Sequence, residues 1–390
     1  MSETTTTSTS YAPPRVPPAA VRRLRLTDYR CYPQLDLDCD SRPVMLYGAN
    51  GAGKTNILEA LSFFAPGKGL RSSGTDAVPR KSSDGIAPQW AVFAELESRG
   101  EHYRLGVGAR TGGRRENRLD GDSVSLSVLA RLMPMIWLTP AQDRLFAGPR
   151  ADRLKFFDRL VTASDPAQAD ALNAYEKTRS RRQRLLDEGN ADTAWLRAIE
   201  TEMAGQGVAI AAARLNALIR LQNEIDAHAG HAFPRADLGL DGDVESDLSE
   251  GLSISEVEDR FMAALEAGRA RDGAAGRTLT RGPHRTELIA FHRDKDQAAA
   301  DCSTGEQKAL LLTLTLAQAR VLAQLYGVAP LLLFDEACAH LDAERREGLA
   351  NEILATGAQA WLTGVERVLF EPFGDEAQFF EVDAAALRAV

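Results

Sequence analysis

Residues Gly48–Thr55 read GANGAGKT, directly after the apolar run Pro43–Tyr47 and directly before NILEALSFF at Asn56–Phe64. The eight residues fit G-x-x-x-x-G-K-[ST], and each fixed position has a physical duty. Glycines let the backbone curl until its N–H groups converge on phosphate oxygens, while the Lys54 ammonium reaches the terminal phosphates and the Thr55 hydroxyl offers a ligand to Mg²⁺. The flanking patterns predict a strand before the loop and a helix after it, the unit on which phosphate sites are built. Gly48, Ala49, Asn50, Gly51, Ala52, Gly53, Lys54 and Thr55 are therefore the expected cradle of a nucleotide.

A second stretch, LLLFDE at Leu331–Glu336, is four apolar residues ending in two carboxylates. A buried strand of this kind sets Asp335 and Glu336 at its C-terminal edge, beside the phosphate loop if the two strands are neighbours. There Asp335 is expected to hold Mg²⁺, and Glu336 to polarise the attacking water as general base. Most of the chain separates the two stretches, so the intervening helical region is expected to be an insertion that leaves the nucleotide domain and returns to it.

That region begins near Asp152, where Ala, Leu, Arg, Gln and Glu take over and Pro and Gly become sparse up to Glu188. Asp165–Asp187 and Asp192–His228 both read as helices joined by EGNA, a hairpin with arms on the order of 35 to 55 Å. A helix is expected near Ser255–Ala267, followed by a glycine-rich strip at Asp272–Gly276. Upstream, Trp90–Leu119 alternates like antiparallel strands, and Pro134–Leu138 reads as a short buried strand. Downstream, a helix is predicted at about Gly305–Tyr326. The organisation read from these patterns is a tail over 1–20, a head begun over 21–160, a helical arm over 161–275, and the head completed over 276–390.

The 390 residues carry a formal charge of −9, with 44% hydrophobic and 26% charged residues. This is a globular composition, and the negative balance excludes a uniformly basic coat for nucleic acid. Any DNA binding must come from local patches. Cys31, Cys39, Cys302 and Cys338 form no CxxC pair and read as reduced thiols of a cytoplasmic protein. No unbroken apolar run reaches the roughly 18–20 residues needed to span a bilayer, so no membrane partner is expected. The Thr, Ser and Pro of the first 20 residues lack the apolar core of a secretory signal and are expected to be disordered.

Ahead of LLLFDE lies CSTGEQKALLLTL, and after it His340-Leu341-Asp342. Ser303–Gln307 resembles the signature of ABC-type ATPases, and Asp342 falls where these proteins carry their D-loop. With all four motifs in this order, the chain resembles the SMC, Rad50 and RecF group: an α/β phosphate-loop ABC-type ATPase head split by an inserted helical arm. Within the group the likeness is to the RecF family. It rests on LRLTDYRCY at Leu24–Tyr32, GKGLRS at Gly67–Ser72, LTPAQDRLFAGPRADRLKFFD at Leu138–Asp158 and RGPHRTEL at Arg281–Leu288. Between about Thr162 and Gly276 only the helical character matches.

The resemblance implies ATP and Mg²⁺ as cofactors and roles for matching residues. Gln142 would be the Q-loop ligand of Mg²⁺ and water, joining Glu336 and Lys54 in catalysis and Thr55 and Asp335 at the metal. Arg71 would approach the phosphates, and Ser303 and Gly305 would grip the nucleotide of a second subunit, with Asp342 nearby. Thr363, in WLTG, stands where transporter ATPases carry a switch histidine, and Thr304 and Glu306 depart from the common SGGQ form. The implied activity is slow, DNA-stimulated ATP hydrolysis by a DNA repair and recombination protein. ATP would pair two copies on duplex DNA near single-strand gaps, hydrolysis would release them, and RecO and RecR would be partners in loading RecA.

A structural DNA tether of the SMC or Rad50 kind is the alternative, but it needs coiled coils of several hundred residues. A transporter ATPase would need the switch histidine, and only about 50 residues follow Glu336, too few for an added nuclease domain. Three arginine clusters are candidates for DNA phosphates: Arg22, Arg23 and Arg25; Arg110, Arg114, Arg115 and Arg118; and Arg179, Arg181, Arg182 and Arg184. His284 and Arg285 in GPHR read equally as a structural turn or as a ligand contact.

Overall fold

A computed structural model of the chain describes residues 16–83, 85–189, 192–228 and 233–390. Two six-stranded sheets build the head. In the first, the strands Met135–Leu138, Leu331–Phe334, Ala360–Gly364, Val44–Tyr47 and Gln378–Asp383 run parallel in that order, and Ala386–Ala389 closes the edge antiparallel. The Met135–Leu138, Leu331–Phe334 and Ala360–Gly364 strands are buried along their whole length, as expected of parallel strands covered on both faces. The second sheet is antiparallel: Tyr32–Asp38, Ala20–Tyr29, Gln89–Ser98, Glu101–Arg110, Glu116–Leu119 and the short Asp122–Ser123. Gln89–Ser98 alternates in burial, the period-2 signature of a sheet with one face on the core. The helix Lys54–Ser62 shares a hydrophobic cluster with residues of both sheets.

On the other side of the parallel sheet lies the helix Thr304–Tyr326. Its ALLLTLTLA segment, Ala309–Ala317, is apolar nearly all round, and the helix is mostly buried inside the protein, which is what such a pattern requires of a core helix. Each buried leucine contributes about 1.5–3 kcal/mol. Ser303 caps its N-terminus in a capping box with Glu306, and Gly327 closes its C-terminus in the left-handed region.

The helical region is more compact than a two-armed hairpin. Ala167–Glu188 and Thr193–Ala227 do run together, but a third helix, Ile254–Ala275, packs against both. It runs on through Asp272–Ala275, most of the strip read from the sequence as glycine-rich. A capping box at Ser253 starts it, and Gly276 at φ 61° ends it, so Gly273 is carried inside the helix. The far half of Thr193–Ala227 leaves this lobe and packs on the core helix of the head, with Leu221 and Ile225 in the main cluster. A small antiparallel sheet, Ala236–Asp241 with Glu287–His292 and Gln297–Ala298, brings the chain back.

GPHR lies at this return, and the structure gives it a structural part. Tyr175 of the first lobe helix bonds His284 Nδ1 at 2.8 Å, and Arg214 of the long helix donates to the Pro283 carbonyl and pairs with Asp158 and Glu245. Burial pushes the His284 pKa down to about 4, with the nearby charges of Arg179, Arg285 and Arg150 adding to the effect. The chain is also fixed earlier than a tail over 1–20 implies. Residues 1–15 lie outside the described part, but Ala19 is fully buried, and its N–H bonds the Ala329 carbonyl at 2.9 Å.

Candidate functional site

The phosphate loop is held by positions where only glycine fits. Gly48 has φ 148°, and a Cβ there would collide with the Val382 carbonyl; Gly53 has φ 114°, and a Cβ would sit 2.6 Å from the Tyr32 hydroxyl. The helix after the loop opens at Gly53 with no side-chain cap and no acid in its first turn. Its free N–H groups and dipole therefore favour an anion. Lys54, 5% exposed, folds over the loop and donates to the Gly48 and Ala49 carbonyls at 2.6 and 2.8 Å. Burial lowers its pKa, while Glu336 and Asp335 pull the other way. A phosphate group offers the ammonium a charged partner in place of two neutral carbonyls.

The acid strand is not the neighbour of the loop strand. Ala360–Gly364 pairs in parallel with both Leu331–Phe334 and Val44–Tyr47, and so lies between them. The two motifs still meet, because Thr55 Oγ1 reaches across and donates to Asp335 Oδ1 at 2.8 Å. Thr363, on the middle strand, donates to the same Oδ1 at 2.7 Å and accepts the Glu336 N–H at 2.9 Å. Thr363 is 1% exposed and both capacities of its hydroxyl are used. Its hydroxyl thus ties the Asp335 carboxylate to the Glu336 backbone.

Thr55 and Asp335 fit a Mg²⁺ site: both are hard oxygen donors, they are already in contact, and Asp335 is nearly buried. Mg²⁺ takes one or two protein oxygens and completes its shell with water and substrate phosphates. In keeping with that sparse donor set, no cluster of three or more His, Cys, Asp or Glu suited to a metal occurs among the described residues. Both residues line a cavity of about 1000 Å³, together with Arg71 and Gln142. Gln142 Oε1 accepts the Thr139 N–H at 3.0 Å, which fixes the amide at the cavity wall. Arg71 donates to Asn56 Oδ1 at 2.8 Å.

Glu336 has φ 53°, a left-handed backbone costly for a residue with a Cβ. Part of what holds it there is a residue the sequence reading passed over. Lys308, on the core helix and 5% exposed, donates to the Ala339 carbonyl at 2.8 Å and the Glu336 carbonyl at 3.3 Å, and lies 3.4 Å from Asp143. One ammonium thus joins the Ser303 helix, the turn after the acid strand and the Gln142 segment. The signal was a single lysine heading the apolar run KALLLTL.

Ser303, Gly305 and Asp342 do not join this group. None lines the cavity. Ser303 is occupied with Glu306, whose carboxylate is held at a pKa of about 2 by the Lys295 ammonium and by the Ser303 backbone and hydroxyl. Asp342 caps the helix Ala343–Thr356 by accepting the Arg345 N–H.

A phosphate loop, an acid strand and a signature-bearing core helix on one parallel sheet, interrupted by a helical lobe, define an ABC-type ATPase head. The profile of the RecF/RecN/SMC N terminal domain matches residues 20–383. The DNA replication and repair protein RecF of Caulobacter sp. (strain K31) is 47% identical over 387 residues, covering 95% of this chain and 98% of that one. RecF of Brucella suis biovar 1 (strain 1330) is 44% identical, covering 95% and 96%. The chain belongs to the RecF family of DNA replication and repair proteins. Among solved structures, the recombination mediator protein RecF-ATPrS in the RecFOR pathway superposes with a TM-score of 0.83 at 18% identity, covering 96% and 99%. The Smc head domain from Pyrococcus furiosus, at 15% identity and TM-score 0.53, covers 95% of each chain and shares the fold.

Proposed function

We propose that this chain binds ATP with Mg²⁺ on the Gly48–Thr55 loop and hydrolyses it slowly, using hydrolysis to control a homodimer on DNA. The observation that carries the reading is the shared Asp335 Oδ1, which Thr55 and Thr363 both reach. It places the phosphate loop, the carboxylate expected at the metal and the backbone of Glu336 in one hydrogen-bonded unit. Bound Mg²⁺ would neutralise phosphate charge as the terminal phosphate leaves. Thr55 and Asp335, already hydrogen-bonded to each other, would be the residues that hold the metal. Lys54 would exchange its loop carbonyls for phosphate oxygens, and Gln142 and Arg71 would face the same phosphates from the cavity wall. Glu336, with its backbone pinned by Thr363 and Lys308, is assigned the proton of the attacking water.

Ser303, Gly305 and Asp342 do not line the cavity that holds Thr55 and Asp335, which supports a role toward the nucleotide of a second copy. The likeness to RecF proteins named for replication and repair, and to one named for the RecFOR pathway, supports action in the cytoplasm on duplex DNA near single-strand gaps, with RecO and RecR, in aid of RecA loading. Gel-shift titrations on gapped duplex test it. Affinity should rise at least tenfold with ATP and Mg²⁺ and should lose that rise in Lys54→Ala; equal affinity with and without ATP contradicts the dimer model.

A further inference from the structure

Most of the arginines that the sequence offered to DNA are engaged with the protein itself. Arg22 pairs with Glu97, Arg23 and Arg25 with Asp36, Arg118 with Glu116 and Arg179 with Glu176, while Arg182 is fully buried between Glu200 and Asp272. Arg115 lies over the Phe63 ring and donates to the Gly67 carbonyl. Arg181 lies over the Trp195 ring, and Arg110, Arg114 and Arg184 stay exposed at a strand end, in a loop and on a helix.

Unneutralised cations gather instead in the cavity that starts at Thr55 and Asp335. Lys68, Arg144, Lys155 and Arg159 line it, and none of the four has an ion-pair partner among the described residues. Of the carboxylates on the same wall, Asp158 is taken by Arg214 and Asp335 by the two threonines, leaving exposed Asp152.

Arg159 is the unusual member. Its guanidinium lies over the Trp137 ring at 4.8 Å and the Phe156 ring at 5.2 Å, and one Nη donates to the Trp137 carbonyl at 3.0 Å. Its Nε is buried without a partner. Burial with no carboxylate nearby pulls its pKa down to about 9, so it remains a cation at neutral pH. The residue as a whole is half-buried at the cavity wall, and its buried Nε is an unmatched donor, which is costly. The rings hold the guanidinium in a fixed plane, the preorganised fork that suits tetrahedral oxyanions. Lys155, one helical turn away at i−4, is a neighbour on the same helix face.

We propose that Arg159 and Lys155 form an anion subsite, separate from the phosphate loop, that takes a phosphoryl group. Two sources share that chemistry: inorganic phosphate leaving the hydrolysis site, and a backbone phosphodiester of nucleic acid. The inference rests on the cavity and on Arg159, and it stands whether or not the loop binds ATP.

Trp137, under the guanidinium, serves as the reporter. In a Lys54→Ala background, where the loop has lost its ammonium, sodium phosphate is titrated at constant ionic strength while tryptophan fluorescence is followed. A saturable change is expected. Arg159→Met, which keeps the stem between the two rings, should weaken it at least tenfold. Lys155→Met, an exposed change, should weaken it severalfold with the melting temperature unchanged, which separates anion binding from folding. A short single-stranded oligonucleotide that displaces phosphate supports the nucleic-acid source, and one that leaves the phosphate response untouched supports the product source. No saturable response in Lys54→Ala, or superimposable titrations with and without Arg159 and Lys155, would overturn the subsite.

Discussion

The head and the helical lobe each hold a buried cluster of polar and charged groups, and the two are built to opposite ends. In the lobe, Arg182 is fully buried and donates to Glu200, Asp272 and the Leu265 carbonyl, while Arg269 closes on Glu200 from the side. Burial works against the Asp272 charge, yet bonds from Thr280 and Arg182 outweigh it and hold its pKa below the usual range. This cluster does not line the main cavity. In the head, Lys54 has only neutral carbonyls as partners, Glu336 sits on a strained backbone, and Asp335 borders open space. A network that fixes three helices is saturated; one that waits for a ligand keeps partners it can exchange.

The sharpest way to break the contrast is Glu200→Ala, which strips a carboxylate from two arginines. Loss of one partner of a buried ion pair costs about 3–5 kcal/mol. Urea unfolding should show that loss, with the ATP affinity of the folded protein unchanged within twofold. The joint between the regions comes next. The folded-state pKa of His284 is depressed, so the folded protein favours neutral imidazole. Its stability contribution is complete above pH 6.5 and is lost as pH falls from 6.5 to about 4. The loss is at most about 3 kcal/mol, and a His284→Gln protein should show a flatter melting profile across that window. The smallest effect belongs to Thr363→Val, which frees the Glu336 N–H and one bond to Asp335. Turnover should fall about tenfold, in line with one or two lost hydrogen bonds, with ATP affinity within threefold of wild type; Thr363→Ser should restore turnover.

Local chemistry was legible in the sequence, and neighbour relations were not. GANGAGKT and LLLFDE announce themselves because each needs particular residues at particular spacings, and the strand before the loop and the helix after it follow from apolar period. Nothing local in Val44–Tyr47 or Leu331–Phe334 encodes that a third strand separates them; pairing order is decided by what packs on both faces. Ile254–Ala275 was foreshortened because Gly273 and Gly276 look alike in sequence, although only the second is left-handed. The ion-pair partners of the arginine clusters were hidden for the same reason: a run of charge shows neither Asp36 across a sheet nor Asp272 ninety residues away. Lys308 could be read only once Glu336, Ala339 and Asp143 had been brought together.

In the proposed function, Glu336 is the base that ends an ATP-held dimer. Light scattering of Glu336→Gln with ATP and Mg²⁺ tests this most directly. It should report a dimer that persists for hours, while the wild type returns to monomer as ATP is consumed. A Glu336→Gln protein that stays monomeric with ATP, or that hydrolyses ATP at the wild-type rate, contradicts it.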